Sequence, residues 1–182
     1  MTANIDQFAL YSAKIFEILY DSFPIPTSLD RTSIIIEYLN FDRGEELKNL
    51  KIKHDLADII EMSDDEELRQ QIKQKLPIIK TQISEIENEQ HSSRQHQEMI
   101  YEGTRDFLES EQLLRKLDSK GYQLTSKGFS HLNKVFEEGK ISNDRKSNIS
   151  ILKTIFEKSS DTTLQVAAGT AVNVITRIIG YN

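Results

Sequence analysis

The chain has 182 residues, with 23 lysines and arginines against 29 aspartates and glutamates, a net charge of −6 and no cysteine. A chain of this length buries about 70% of its extended surface on folding, so it can build one compact core without a metal or a disulfide. The missing cysteine excludes thiol catalysis, thiolate metal sites and disulfide frameworks, and the acidic balance disfavours broad nucleic-acid or membrane binding.

The opening MTANIDQF has no basic lead before an apolar run, which predicts no secretory signal and a cytoplasmic location. From about Ile5 to Ser22, Ile5, Phe8, Ser12, Ile15, Phe16 and Leu19 share one stripe at helical spacing, predicting an amphipathic helix. Pro24 and Pro26 stop it, because each removes a backbone donor and pushes the preceding residue extended. The next helix starts near Asp30, with Ile34, Ile35, Tyr38, Leu39 and Phe41 as core candidates, and Gly44 ends that unit.

From Glu45 to Met62 the pattern stays helical but weaker, carried by Leu47, Leu50, Leu56, Ile59 and Ile60. Leu68, Ile72, Leu76, Ile79, Ile83 and Ile86 then recur at three- and four-residue steps among charged and amide residues, the narrow stripe of a coiled-coil seam. A polar, coiled-coil-like helical insertion is therefore predicted at about 64–90, with a kink or helix–turn–helix at Leu76 and Pro77. The seam either packs on its own chain or forms an arm for dimerisation or a partner, in which case Ile79 and Ile83 are contact residues. Residues 88–97, NEQHSSRQHQ, lack apolar periodicity and read as a linker. His91 and His96 within it do not share a helix face and have no third ligand at suitable spacing, so no metal is implied. His54 and His131 stand alone and read as surface or cap residues.

The stretch from Gln97 to Phe136 reads as helix, tight two-stranded ribbon, helix. Ile100, Thr104, Phe107, Leu108 and Leu114 recur on one face of the first helix. Asp118, Ser119, Lys120 and Gly121 have a turn composition, with Gly121 able to take the positive φ of a hairpin and Tyr122 to Leu124 returning as the second strand. Thr125 or Ser126 can cap the following helix, along which Phe129, Leu132, Val135 and Phe136 repeat. The run FLESEQLL, a ribbon, then YQLTSKGFSHL resembles the second half of a winged-helix domain. The resemblance implies a short edge strand near Pro24 to Pro26, beside the wing, and a helix that reads DNA across residues 97–114. The charge there opposes it. Glu98, Glu102, Asp106, Glu109 and Glu111 face a single Arg105, a balance of −4 that a DNA groove would repel. Arg115, Lys116, Lys120 and Lys127 of the wing could still grip phosphates without reading bases.

Residues 139–148 read as a second linker, and Ile149, Leu152, Ile155 and Phe156 as a short amphipathic helix. Ser160 or Asp161 can cap the last helix, TTLQVAAGTAVNVITRIIG, whose Ala167, Ala168, Gly169 and Ala171 allow close approach of another helix. Gln165, Asn173 and Arg177 argue against a membrane span. Docking on the N-terminal helix is expected, with self-association as the alternative.

The expected fold is therefore mainly α: a winged-helix-like domain over 1–139 with one short β-hairpin and a helical insertion, followed by a C-terminal helical extension over 149–182 on the same core. No glycine-rich phosphate loop, nucleophile–base group or paired-carboxylate spacing is present, so no enzyme and no cofactor are expected. What remains is a protein-interaction module of adaptor, assembly or toxin-neutralising type, binding a protein partner or itself as a homodimer. Its candidate contacts are Glu98, Glu102, Arg105, Asp106, Glu109, Ile79 and Ile83. The alternative is a dimeric DNA-binding regulator with Arg115, Lys116, Lys120 and Lys127 on phosphates.

Overall fold

A computed structural model describes residues 3–38, 43–61, 65–137, 145–157 and 164–180. These residues are mainly helical and divide into two compact units, residues 1–38 with 98–182, and residues 39–97. The helices are α1 (Ala3–Ser22), α2 (Arg31–Tyr38), α3 (Gly44–Glu61), α4 (Glu66–Ser110), α5 (Ser126–Asn133), α6 (Asn148–Glu157) and α7 (Leu164–Ile179). Two short antiparallel ribbons join β1 (Leu114–Lys116) to β2 (Tyr122–Leu124) and β3 (Val135–Glu137) to β4 (Arg145–Ser147). The expected core residues Leu39 and Phe41, the helix end at Met62 and the expected caps Ser160 and Asp161 lie outside the described residues.

In the first unit α1 is enclosed rather than one-sided. Every residue from Ala9 to Ala13 is buried, together with Ile15, Phe16 and Leu19, and such a run needs neighbours on several sides. α2, α6, α7 and β2 supply them. Ile5, expected on the buried stripe, is instead 53% exposed. Ala167, Ala168 and Ala171 of α7 are buried, and their small side chains let α7 pack close to α1. Tyr101 of α4 meets Tyr11 edge to face at 5.8 Å, and Phe107 meets Phe8 at 5.5 Å.

Local chemistry sets the element ends. The Asp30 carboxylate accepts the backbone N–H groups of Thr32 at 3.1 Å and Ser33 at 3.2 Å, capping α2. α4 stops at Ser110 and Gln112 takes a left-handed φ of 58°, so Leu114, expected on the helix face, begins β1 and is buried there. Leu114 pairs with Leu124 and Lys116 with Tyr122. A single 3-10 turn closes this hairpin, Gly121 has φ 93°, and the Leu117 N–H donates to the Gly121 carbonyl at 2.8 Å. Thr27 exchanges two 2.9 Å hydrogen bonds with Tyr122, one bridge on the outer edge of β2.

Thr125 caps α5, its hydroxyl accepting the Gly128 N–H at 3.0 Å. Gly128 lies so close to β1 that a Cβ there would stand 2.0 Å from the Leu113 carbonyl oxygen. α5 ends at Asn133 because Lys134 turns extended. Val135 and Phe136, expected to continue the helix, therefore form β3, with Val135 opposite Ser147 and Glu137 opposite Arg145. The second ribbon replaces part of the expected linker at 139–148, of which 139–144 lie outside the described residues. His131 is half-buried rather than a surface residue, its Nδ1 2.6 Å from the Ile178 carbonyl at the end of α7.

The second unit contains α3 and α4 as far as Gln97. α4 runs unbroken through Pro77 and through 88–97, so neither the helix–turn–helix nor the first linker is present. Glu, Gln and Arg are good helix formers whatever their lack of apolar periodicity. Leu47, Leu50 and Ile86 are buried together, with Ile79 and Ile83 half-buried against them. Lys51–Glu87 at 2.8 Å joins the same two helices, and Arg43, just before α3, pairs with Glu89 at 2.7 Å. This part of the seam thus packs on the chain's own α3.

Two substitutions at the start of α5 separate capping from close packing. Thr125→Ala should cost about 1 kcal/mol, and Gly128→Ala about 2 kcal/mol or more, because backbone rather than a side chain must give way. Urea unfolding monitored by circular dichroism measures both, and equal losses would contradict the Leu113 contact.

Candidate functional site

In α4 beyond Gln97, Tyr101, Thr104 and Leu108 are buried, which turns Glu98, Glu102, Arg105 and Glu109 onto one outer stripe with Asp106 beside them. The five residues singled out from sequence are thus brought together. The stripe is held by Arg31 of α2, whose guanidinium lies 3.5 Å from Glu102 and 4.0 Å from Glu98. Arg105 reaches Glu102 at 2.5 Å and Asp106 at 3.0 Å, and its guanidinium sits 5.6 Å from the centre of the Tyr122 ring. The Glu109 carboxylate accepts the Lys116 backbone N–H at 3.3 Å. Arg31 and Tyr122 were not visible from sequence. No spacing rule ties position 31 to positions 98 and 102, since only the fold brings α2 beside α4.

These pairs are partly solvated, so each contributes well under about 1 kcal/mol to stability. Their effect is orientation. Even with Arg31 counted, Glu98, Glu102, Asp106 and Glu109 outnumber Arg31 and Arg105 by four to two, and the face stays acidic.

The hairpin divides the four basic candidates. Arg115 donates to its cross-strand partner Gln123 at 2.7 and 3.1 Å, and the Gln123 amide in turn donates to the Pro24 carbonyl. Lys127 donates to the Glu111 carbonyl at 2.7 Å. Both line a cleft of about 470 Å³ at the foot of the hairpin. Lys116 and Lys120 are exposed and make no ion pair among the described residues. A second, apolar groove of about 320 Å³ lies among Ile5, Phe8, Phe107, Val172, Ile175 and Ile179. Its one hydroxyl, Thr176, already donates to the Val172 carbonyl at 2.7 Å.

Among the described residues there is no group of three or more His, Asp or Glu placed to hold a metal ion, and no helix long and apolar enough to cross a membrane. No protein-family profile, curated protein or solved structure matches the chain significantly.

Two buried phenols with raised pKa lie behind the stripe. Loss of water on burial raises the Tyr11 and Tyr101 phenols from 10.0 to about 12. The folded chain therefore holds two protons that the unfolded chain releases earlier. Their contribution to stability is complete below pH 10 and lost as the pH rises towards about 12. Phenolate absorbance should show a component that rises only towards pH 12 and shrinks in Tyr11→Phe and Tyr101→Phe. A titration unchanged by either substitution would contradict this.

Proposed function

We propose that the chain is a non-enzymatic protein-interaction module on a winged-helix-like scaffold, with the acidic stripe of α4 docking a basic surface of a protein partner. The observation that carries this is the stripe itself: Glu98, Glu102, Asp106 and Glu109 stay in net excess after Arg31 and Arg105 are paired among them. Such a face attracts and orients a basic partner through complementary potential. An adaptor, an assembly factor or an acidic protein that neutralises a basic toxin would use it. Self-association as a homodimer belongs to the same reading.

Support for the winged-helix scaffold comes from the element order: α1, a bridge at Thr27, α2, the last turns of α4, a hairpin and α5. The Thr27 bridge falls on the second hairpin strand, where the resemblance puts an edge strand. On this view α3 and the first part of α4 form a coiled-coil-like insertion between the second and third helices of the motif.

A DNA-binding regulator is the second reading, favoured by the exposed Lys116 and Lys120 at the hairpin. It is weakened by Arg115 and Lys127, which are committed to the chain's own carbonyl oxygens, and by the acidic helix that would have to enter a groove.

Two measurements decide between them. Affinity capture on the wild-type chain should retain a partner whose binding falls at least tenfold with Glu98→Lys, Glu102→Lys and Glu109→Lys combined and weakens with salt. Fluorescence anisotropy with random duplex DNA should show no binding even at low salt. Micromolar, steeply salt-dependent DNA binding that vanishes with Lys116→Glu and Lys120→Glu would replace the first reading with the second.

A further inference from the structure

α3 is apolar on two sides. At about 100° per residue, Leu47, Leu50 and Ala57 share one face, and Ile52, Leu56 and Ile59 share the opposite one. The first three are buried, whereas Ile52, Leu56 and Ile59 are 48%, 51% and 65% exposed. Ile79, Ile83 and Ile86 of α4 pack with Leu47 and Leu50 on the inner face. A continuous apolar stripe left on a charged helix marks a contact surface more often than scattered single residues do.

We infer that the outer face of α3 is a homodimer surface, on which α3 of a second copy lies antiparallel about a two-fold axis. This rests on the self-association part of the proposed function and leaves the α4 stripe free for a different partner. Three observations favour a second copy as the occupant. The unit is thin: among its described residues only Leu47, Leu50, Ala57 and Ile86 are buried apolar side chains, a small core for two helices. Two helical hairpins joined face to face make a four-helix bundle, the usual way to enclose such layers. The charges beside the stripe also complement themselves. Lys48 and Asp55, seven residues apart, lie on the same edge of it, both are exposed, and Lys48 has no ion pair among the described residues. A two-fold axis reverses the order of the partner helix; with the axis at the level of Ile52, Lys48 of each copy lies beside Asp55 of the other and Ile52 meets the Ile52 of the second copy. A parallel pair would instead carry the Lys48 and Asp55 edges of the two copies to opposite sides of the interface. A foreign partner would need this pattern by coincidence, whereas an isologous dimer has it by symmetry.

Sedimentation equilibrium on the full chain, from a few to a few hundred micromolar, tests the inference. The wild type should show a reversible dimer. Ile52→Asp with Leu56→Asp should raise its dissociation constant at least tenfold, with an unchanged far-UV spectrum because both side chains are exposed. The charges give an independent readout that does not disturb the apolar face. Lys48→Asp alone should weaken the dimer about fivefold, and adding Asp55→Lys should restore it. A strict monomer at every concentration overturns the inference, as does a dimer indifferent to the α3 substitutions or a charge swap that fails to restore association. Reversing Glu98 and Glu102 should leave the dimer intact. A monomeric chain that still captures a partner through those residues would sink the α3 surface alone, while an intact dimer that captures nothing would sink the α4 reading alone.

Discussion

The enclosure of α1 is the constraint on which the first unit depends. With residues 9–13 all buried, α1 cannot be one wall of the core and has to be its axis, and α2, α6, α7 and β2 are defined by the sides of α1 that they cover. Its composition makes this possible. Ala9, Ser12 and Ala13 let neighbours approach, while Leu10, Tyr11, Ile15 and Phe16 fill the gaps between them. The arrangement has a cost: the Ser12 hydroxyl is buried without a hydrogen-bond partner.

Around that axis the hairpin is fixed by close backbone approaches rather than by side-chain bulk. Gly128 abuts the Leu113 carbonyl, Gly121 leaves no room for a Cβ beside Thr27, and Gln123 reaches the Pro24 carbonyl. Together these pin the ribbon between the segment after α1 and the start of α5. The Tyr122 ring is thereby placed under Arg105 and the Lys116 N–H at Glu109. The acidic stripe is oriented from both sides, by α2 through Arg31 and by the ribbon through Tyr122, although none of those contacts contributes much to stability.

How much of this was legible in the sequence follows from which signals are local. The helix start near Asp30, a cap at Thr125 or Ser126, the Gly121 turn and the short ribbon after α4 are written in a few adjacent residues. Residues 88–97 read as a linker although they are helical, because a helix that is mostly solvated needs no apolar period; its inward positions include Gln90, Ser93 and Gln97, which are amides and a serine. Val135 and Phe136 fit a helical period as well as a strand, and only the extended turn at Lys134 separates the two. The outer grouping of Glu98, Glu102, Arg105, Asp106 and Glu109 was legible from spacing, whereas Arg31 depended on long-range packing. The pattern of α3 looked weak for a different reason. Two apolar stripes on opposite faces cancel at the helical period, so Leu47 and Leu50 are not separated from Leu56 and Ile59 in the sequence although they point in opposite directions.

The two candidate surfaces differ in the physics available to them. On α4 the partly solvated charges would supply steering and orientation, but salt screens them and each pair adds little affinity. On α3 the exposed isoleucines and leucine would supply affinity that salt barely affects, with little power to choose a partner. Neither kind of surface makes a specific, stable assembly unaided. An apolar face acquires specificity when symmetry supplies the matching pattern, as Lys48 and Asp55 would in a two-fold pair, and a charged stripe acquires affinity when it is presented twice, because a dimer raises the effective concentration of the second stripe towards the same target. An acidic module of this size would gain most from self-association if its partner presents basic sites in repeat.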